Sequence, residues 1–219
     1  MKNKIFFLVI IPFLAFGCAN YVKVIESKTH LALIDKFDNN SNNWKQLKNK
    51  DFLVENSQGV LHIEKFKKNK ESNGCLWYSK SFDCLDTKND FAISFDAKFV
   101  DCDDVYNAFD FQWGNLDSIS YQLSVDIDGW FKLMKFDKVV SANSRWTDIA
   151  SNEKPDLIKK NDFNNIYIIQ LDKKCIILVN NKVVFNVNIN CKGNQIGFQE
   201  CLKVAWELDN FRIRSIYRK

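Results

Sequence analysis

The segment 91–99 places an apolar side chain at every second position, and this pattern restricts the folds that the chain can adopt more than any other feature of the sequence. A period of two is typical of a strand that buries one face of an antiparallel sheet. Longer stretches with helical periodicity are lacking, and the best short candidate is 155–160. The sequence therefore predicts an all-β protein, because similar runs recur at 108–113, 119–125, 130–136, 166–171, 176–179, 183–189, 196–198 and 204–213.

Turn signals separate these runs. Asp128-Gly129 and Asn180-Asn181 each join two runs as a two-residue hairpin would, since Gly and Asn tolerate positive φ. In the last run the apolar set slips by one residue, which predicts a β-bulge near Asp209-Asn210. Many short strands joined by hairpins indicate an antiparallel two-sheet β-sandwich or a barrel.

The N-terminus predicts export. Lys2 and Lys4 precede an uncharged run at 5–16. A membrane-spanning helix needs about 20 apolar residues, so this shorter run is interpreted as the apolar region of a cleaved signal peptide at 1–17.

The apolar run ends in Leu14-Ala15-Phe16 and is followed by Gly17-Cys18. This order resembles the lipobox of bacterial lipoproteins, in which a small residue precedes a lipid-carrying cysteine, although Ala15 stands where the family usually has Leu. The resemblance implies lipidation of Cys18, a tether over 18–30 and a domain over 31–219. The protein is then expected in the cell envelope, anchored to a membrane on an undetermined face. An ordinary signal peptide with an incidental cysteine remains the alternative.

Six further cysteines remain after Cys18, and an exported protein can pair them. Fifteen pairings are possible in principle. The Asn180-Asn181 hairpin is expected to place Cys175 opposite Asn186, which argues against a local bridge to Cys191. Free, buried thiols are the alternative interpretation for the set Cys75, Cys84, Cys102, Cys175, Cys191 and Cys201.

Charge and histidine content exclude several classes of function. The net charge is +4, and lysines are interspersed with aspartates rather than gathered in one basic stripe, so no nucleic-acid partner is expected. The two histidines are His30, in the predicted tether, and His62, in an alternating run. Neither suggests a nucleophile–histidine pair, and no catalytic residue is assigned.

Three groups of residues together resemble one family. They are an opening Ile34-Asp35-Lys36-Phe37-Asp38 with Trp44, a central hairpin over 124–131, and a closing set over 180–185, 195–198 and 208–213. This order is similar to the concanavalin A-like, laminin G-like jelly-roll domains of exported bacterial proteins. The resemblance implies two packed antiparallel sheets. Its members include lectins, carbohydrate-binding modules, glycoside hydrolases and lyases, so the fold alone does not decide the function.

The β-glucan hydrolases of this family carry an E-x-D-x-x-E motif on one strand, because retaining hydrolysis needs two carboxyl groups about 5 Å apart. The seven glutamates of this chain include no pair at i, i+2 or i, i+4. A non-catalytic domain that binds glycans is therefore the first hypothesis. A protein-interaction or structural module of the envelope is the second, and a divergent glycan hydrolase or lyase is the third.

Aromatic residues next to polar ones are the best candidates for a glycan site, because sugar rings pack on aromatic planes while polar groups bond their hydroxyls. Trp146 and Arg145, in a predicted loop over 143–148, come first, followed by Gln112, Tyr121 and Trp130.

Structural calcium is a further expectation, since jelly rolls of this kind often bind it at a sheet rim through oxygen ligands. Asp38 and Asn40 lie in one Asn-rich turn, and Asp209 belongs to the closing strand. These three residues are the candidate ligands. Asx turns and solvated loops are the alternative explanation.

Overall fold

The computed structural model describes residues 29–66, 75–85, 89–101, 108–140 and 145–216. Strands dominate these ranges, with one short 3₁₀ turn at Pro155–Leu157 inside the predicted helical candidate. The signal peptide, Cys18 and Cys102 lie outside the described residues. The strands are β1 (Thr29–Asp35), β2 (Leu47–Lys48), β3 (Phe52–Ser57), β4 (Val60–Lys65), β5 (Leu76–Ser81), β6 (Phe91–Asp101), β7 (Ala108–Gly114), β8 (Ile119–Asp126), β9 (Trp130–Asp137), β10 (Trp146–Glu153), β11 (Asn164–Leu171), β12 (Lys174–Val179), β13 (Lys182–Asn188), β14 (Gln195–Glu200) and β15 (Val204–Ile216).

The strands form two antiparallel sheets. The larger has nine strands in the order β13-β12-β11-β6-β15-β4-β3-β2, with β1 also paired to β15. The smaller has six strands in the order β10-β9-β8-β7-β14-β5. This architecture confirms the predicted two-sheet sandwich. Within the described ranges, no helix has the length and apolar character needed to cross a membrane.

The core lies between the two sheets and is built by the alternation seen in the sequence. Trp44, Trp113 and Trp206 are almost fully buried there. Trp206 stacks on Phe109 with ring centroids 5.2 Å apart, and Trp44 meets Phe211 edge-on at 5.7 Å. Offset and edge-to-face contacts are the favoured geometries of aromatic pairs.

A buried carboxylate organises the chain between β1 and β2. Asp35, which is 4% exposed, accepts hydrogen bonds from the indole N–H of Trp44 at 2.7 Å and from the amide of Asn42 at 2.7 Å. It also accepts the backbone N–H of Phe37 at 2.8 Å. Three donors satisfy the buried acceptor and hold Trp44 in the core.

The nine-stranded sheet is apolar on both faces where β11 and β12 run. Ile168 and Ile177 belong to the core between the sheets, whereas Ile169 and Leu178 belong to a second buried cluster on the other face, together with Ala92, Tyr167 and Ile176. Strands covered on both faces typically have such continuous apolar runs.

Two boundaries differ from the prediction. The first strand begins at Thr29, so His30 pairs with Ser215 in β1 instead of lying in the tether. Trp146 opens strand β10 rather than lying in a loop. Because β10 is an edge strand with a register shift after Asp148, its apolar and polar residues do not alternate regularly, and the pattern resembled a loop.

The two predicted hairpin turns have different outcomes. Asn180 and Asn181 both have positive φ, as a two-residue turn requires. The β8–β9 connection instead contains three residues between Asp126 and Trp130, and Gly129 has φ +83°. A type I turn followed by a glycine of positive φ needs the third residue.

Register shifts account for two further features. A shift between Asp209 and Arg212 confirms the predicted bulge, and Asn210 has φ 51° there. A second shift, between Ile177 and Leu178, moves Cys175 opposite Val187 rather than the predicted Asn186. The bulge adds one residue to β13 that the turn alone does not reveal.

One disulfide is present among the described cysteines. It joins Cys75, just before β5, to Cys201, just after β14. Cys84, Cys175 and Cys191 are not part of this bridge, and the last two are buried. The bridge ties the strand β5 to its neighbour β14 in the six-stranded sheet.

Candidate functional site

The outer face of the six-stranded sheet carries a row of polar side chains. Along β8 the residues Leu123 and Val125 point into the core, so Gln122 and Ser124 point outward. The pairing register aligns Ser124 with Asp110 on β7 and with Lys132 on β9. It also pairs Gln112 with Gln122. We call Gln199, Gln112, Gln122, Ser124 and Asp110 the polar row.

Hydrogen bonds run through the whole polar row. Gln112 Nε2 donates to Gln199 Oε1 at 2.9 Å and to Gln122 Oε1 at 2.6 Å. Gln122 Nε2 donates to Ser124 Oγ at 3.2 Å, and the Ser124 hydroxyl donates to Asp110 Oδ1. Gln112 and Gln122 are only 2% and 3% exposed, so the central part of the row forms a floor rather than an open surface.

A second carboxyl group, Glu200, lies behind the end of the row, on the core side of the sheet with Ile196 and Phe198. The backbone N–H of Asp110 donates to Glu200 Oε1 at 3.3 Å, and the Trp206 indole N–H donates to the same oxygen at 2.8 Å. Burial raises the pKa of Asp110 to about 7, against the opposing effect of the hydrogen bonds from Ser124 and Gln122. Burial and the nearby charge of Asp110 also raise the pKa of Glu200.

Exposed tryptophans lie at the two sides of the row. Trp77, opposite Gln199 on β5, is 57% exposed, and Trp130 on β9 is 47% exposed. Lys132 Nζ lies 6.0 Å from the Trp130 ring centroid and forms an ion pair of 2.9 Å with Asp148. The face therefore combines apolar ring planes with hydrogen-bonding groups, as ligand sites generally do.

The structure brings four of the five predicted ligand residues to this side of the sheet or its edge. Gln112 belongs to the polar row and Trp130 borders it. Trp146, on the edge strand β10, packs on Phe136 with ring centroids 5.1 Å apart. Arg145 directly precedes β10, and its Nε is buried with no hydrogen-bond partner in the described part of the chain.

Tyr121 lies apart from the other four. It alternates to the inner face, is 4% exposed and lies 6.0 Å from Trp113 between ring centroids. Its hydroxyl donates to the backbone oxygen of Asn190 at 3.0 Å. Tyr121 is therefore a core residue at the end of the sandwich and does not reach the polar row.

Sequence reasoning missed several members of the site. The alternation of Ser120, Gln122, Ser124 and Asp126 against three apolar residues was visible and would have identified the β8 part of the row. Trp77 gave no such signal, because it stands between Leu76 and Tyr78 in an apolar run. Only the strand pairing shows that Trp77 and Gln199 lie side by side.

Two of the three predicted calcium ligands, Asp38 and Asp209, lie near enough for the charge of Asp38 to act on Asp209. Asn40 uses its amide on the Trp44 backbone, donating to the oxygen at 3.0 Å and accepting the N–H at 2.7 Å. Burial, with the charges of Asp96 and Asp38, raises the pKa of Asp209. Over the described ranges, no three His, Cys, Asp or Glu side chains are grouped to hold a metal.

Neither central strand carries two carboxylates on this face. Strand β7 carries a single carboxylate, that of Asp110, and strand β8 carries a single carboxylate, that of Asp126. Asp126 Oδ1 accepts the backbone N–H of Asp128 in the turn at 2.7 Å. The paired-glutamate arrangement of a retaining hydrolase, with both carboxyls on one strand, is thus not built here.

Comparison by sequence gives no relative, since no family model matches the chain and no curated protein matches it. Comparison of folds gives many. The carbohydrate-binding module CBM66 of Bacillus subtilis is similar with a TM-score of 0.52 and 16% identity, over 76% of this chain and 92% of the module.

Two other solved structures have higher TM-scores. A Bacillus subtilis protein of unknown function with a galectin-like fold gives 0.60 at 10% identity, over 87% of this chain and 100% of its own. The catalytic domain of a Thermotoga petrophila endo-1,3-β-glucanase (laminarinase) gives 0.59 at 10% identity, over 87% and 99%. With the two antiparallel sheets described above, these similarities show that the chain has the concanavalin A-like jelly-roll fold.

Proposed function

We propose that the protein is a non-catalytic glycan-binding module that takes a sugar chain on the outer face of its six-stranded sheet. The observation that carries the proposal is the polar row with Trp77 and Trp130 on either side of it. Hydroxyl-rich ligands need both donors and acceptors, and the half-buried side chains of Gln199, Asp110 and the neighbouring Lys132 offer both. Solved structures of the same fold include a carbohydrate-binding module and a laminarinase, which supports glycan recognition at the level of the fold.

The spacing of the two tryptophans favours a chain over a single sugar. Trp77 and Trp130 lie on β5 and β9, four strand spacings apart in the order β9-β8-β7-β14-β5. Neighbouring strands are about 4.8 Å apart, so the two rings stand roughly 20 Å from each other. A single sugar ring is too short to contact both, whereas an oligosaccharide lying across the strands contacts both and the groups between them.

Replacing either tryptophan is expected to weaken glycan binding by about tenfold, because each ring offers an exposed apolar plane at the site. The measurement is isothermal titration of the wild type, Trp77→Ala and Trp130→Ala with laminarin, galactan, mannan and chitin oligosaccharides. Val139→Ala is the control, since Val139 is 89% exposed beyond the end of β9. Wild-type protein that is folded but binds none of these glycans would move the assignment to a protein-interaction module.

We also propose that the module is held at a membrane of the cell envelope by a lipid on Cys18. The support is the order of the N-terminal segments: basic residues, a short apolar run, then Gly17-Cys18 and a polar stretch. A single acyl chain binds a membrane only marginally, so stable anchoring by this route needs more than one chain.

Cys18→Ser is expected to abolish incorporation of labelled palmitate and to move the protein from the membrane to the soluble fraction. Expression in a bacterium with a lipoprotein-processing pathway, followed by fractionation, measures both. Cys84→Ser, which removes a free thiol of the domain, should behave as the wild type. Equal labelling of the wild type and Cys18→Ser would contradict the anchor.

A further inference from the structure

The polar row has a direction, which its hydrogen bonds set. Gln112 donates to Gln122, Gln122 donates to Ser124, and Ser124 donates to the Asp110 carboxyl, where the series ends. An ionised carboxylate can only accept hydrogen bonds. The Ser124 hydroxyl must therefore donate to Asp110 and accept from Gln122, which leaves Gln122 Oε1 to accept from Gln112.

We propose that Asp110 is a positioning residue of the glycan site: through Ser124 it fixes how the amides of Gln122 and Gln112 are oriented, and so how the half-buried amide of Gln199, to which Gln112 donates, is presented to a sugar chain. This inference rests on the proposed function. Asp110 itself is only partly buried, whereas the Gln112 and Gln122 amides that it orients are nearly inaccessible to solvent. An amide that rotates there can therefore exchange hydrogen bonds only with other members of the polar row.

The charged groups around Asp110 oppose one another. Glu200 from β14 repels the ionised carboxyl, and Lys132 from β9 attracts it while paired with Asp148 of β10. Asp126 lies two residues beyond Ser124 on β8. Because the pKa of Asp110 is raised to about 7, its protonation state changes in the physiological range. A protonated Asp110 can donate to Ser124, which releases the Gln122 amide from its single orientation.

NMR of the full chain labelled with ¹⁵N tests this without any ligand. The side-chain amide signals of Gln112 and Gln122 are expected to titrate together between pH 5 and 9, with one midpoint near 7. They should not titrate in Asp110→Asn. In Gln122→Leu both routes from Asp110 to Gln112, through Ser124 and directly through the Gln122 amide, are cut, so the Gln112 signal should stay constant. Wild-type amides that do not change over this range, or that titrate equally in Asp110→Asn, would overturn the proposal.

Binding gives the second arm. The glycan of the four tested that binds the wild type is expected to bind about 3- to 10-fold more weakly at pH 5.5 than at pH 8, the size of one or two hydrogen bonds. The ratio should approach one in Asp110→Asn. Glycan binding that does not depend on pH would contradict the positioning role of Asp110 without contradicting the glycan site. Absence of any glycan binding sinks the proposed function, while the amide titration still decides whether Asp110 orients the row.

Discussion

Replacing Cys75 and Cys201 together with serine is expected to lower the free energy of unfolding by about 5 kcal/mol. The bridge closes a loop with a sequence separation of 126 residues, and in the chain-entropy model a loop of that length restricts the unfolded chain by about this amount. Chemical denaturation of the wild type and the double variant, each with and without reductant, measures the difference. Reductant should affect only the wild type.

The matched control is Cys84→Ser, which removes a partly buried thiol that forms no bridge and should change stability much less. The disulfide also has a consequence for the site, because it fixes the strand that carries Trp77. We therefore expect the double variant to lose the Trp77 contribution to glycan affinity even at temperatures where the core remains folded. Equal stability of the wild type and the double variant would show that the bridge does not constrain the chain.

Asp110→Asn is expected to stabilise the fold at alkaline pH and to have little effect at pH 4. The folded pKa of about 7 lies above the ordinary value of 3.8, so the folded state holds a proton that the unfolded state has lost between these values. The contribution of Asp110 to the free energy of unfolding is therefore full below pH 4, is lost as the pH rises toward 7, and does not change further above that pH. The difference amounts to at most about 4 kcal/mol, and residual contact of Asp110 with water reduces it.

Unfolding of both proteins in urea at pH 4, 6 and 8 measures this difference. Asp117→Asn is the control, because Asp117 is an exposed turn residue between β7 and β8. It should follow the wild type within about 0.5 kcal/mol at each pH. A stability difference between Asp110→Asn and the wild type that does not vary with pH would mean that Asp110 is not protonated in the folded protein near neutrality.

Several parts of the fold could be read directly from the sequence. The alternation at Phe91, Ile93 and Phe95 predicted β6 because side chains of a strand point to opposite faces, whatever surrounds it. The apolar slip at Asp209 predicted the bulge for the same reason. Local features of this kind depend on a few neighbouring residues, and their physics is contained in the segment itself.

Only part of the candidate site could be predicted from the sequence. Gln112, Trp130 and Tyr121 were chosen because aromatic and polar residues lie next to each other, and only the strand positions separate them: Gln112 and Trp130 lie at the polar row, whereas Tyr121 lies in the core. Trp77, Gln199 and Asp110 come from three strands that lie far apart in sequence and adjacent in the sheet. Nothing in the segments near them specifies that order.

The sequence by itself determined nine of the fifteen strands in the described ranges, the Asn180-Asn181 turn and the inward-facing side of the alternating strands, because each follows from the period-two pattern and from the φ preferences of Asn. The tertiary structure alone decided the Cys75–Cys201 pairing, the raised pKa of Asp110 and the row from Gln199 to Asp110. Those features depend on which distant strands become neighbours, and on the desolvation of Asp110 by the side chains that those neighbours place around it.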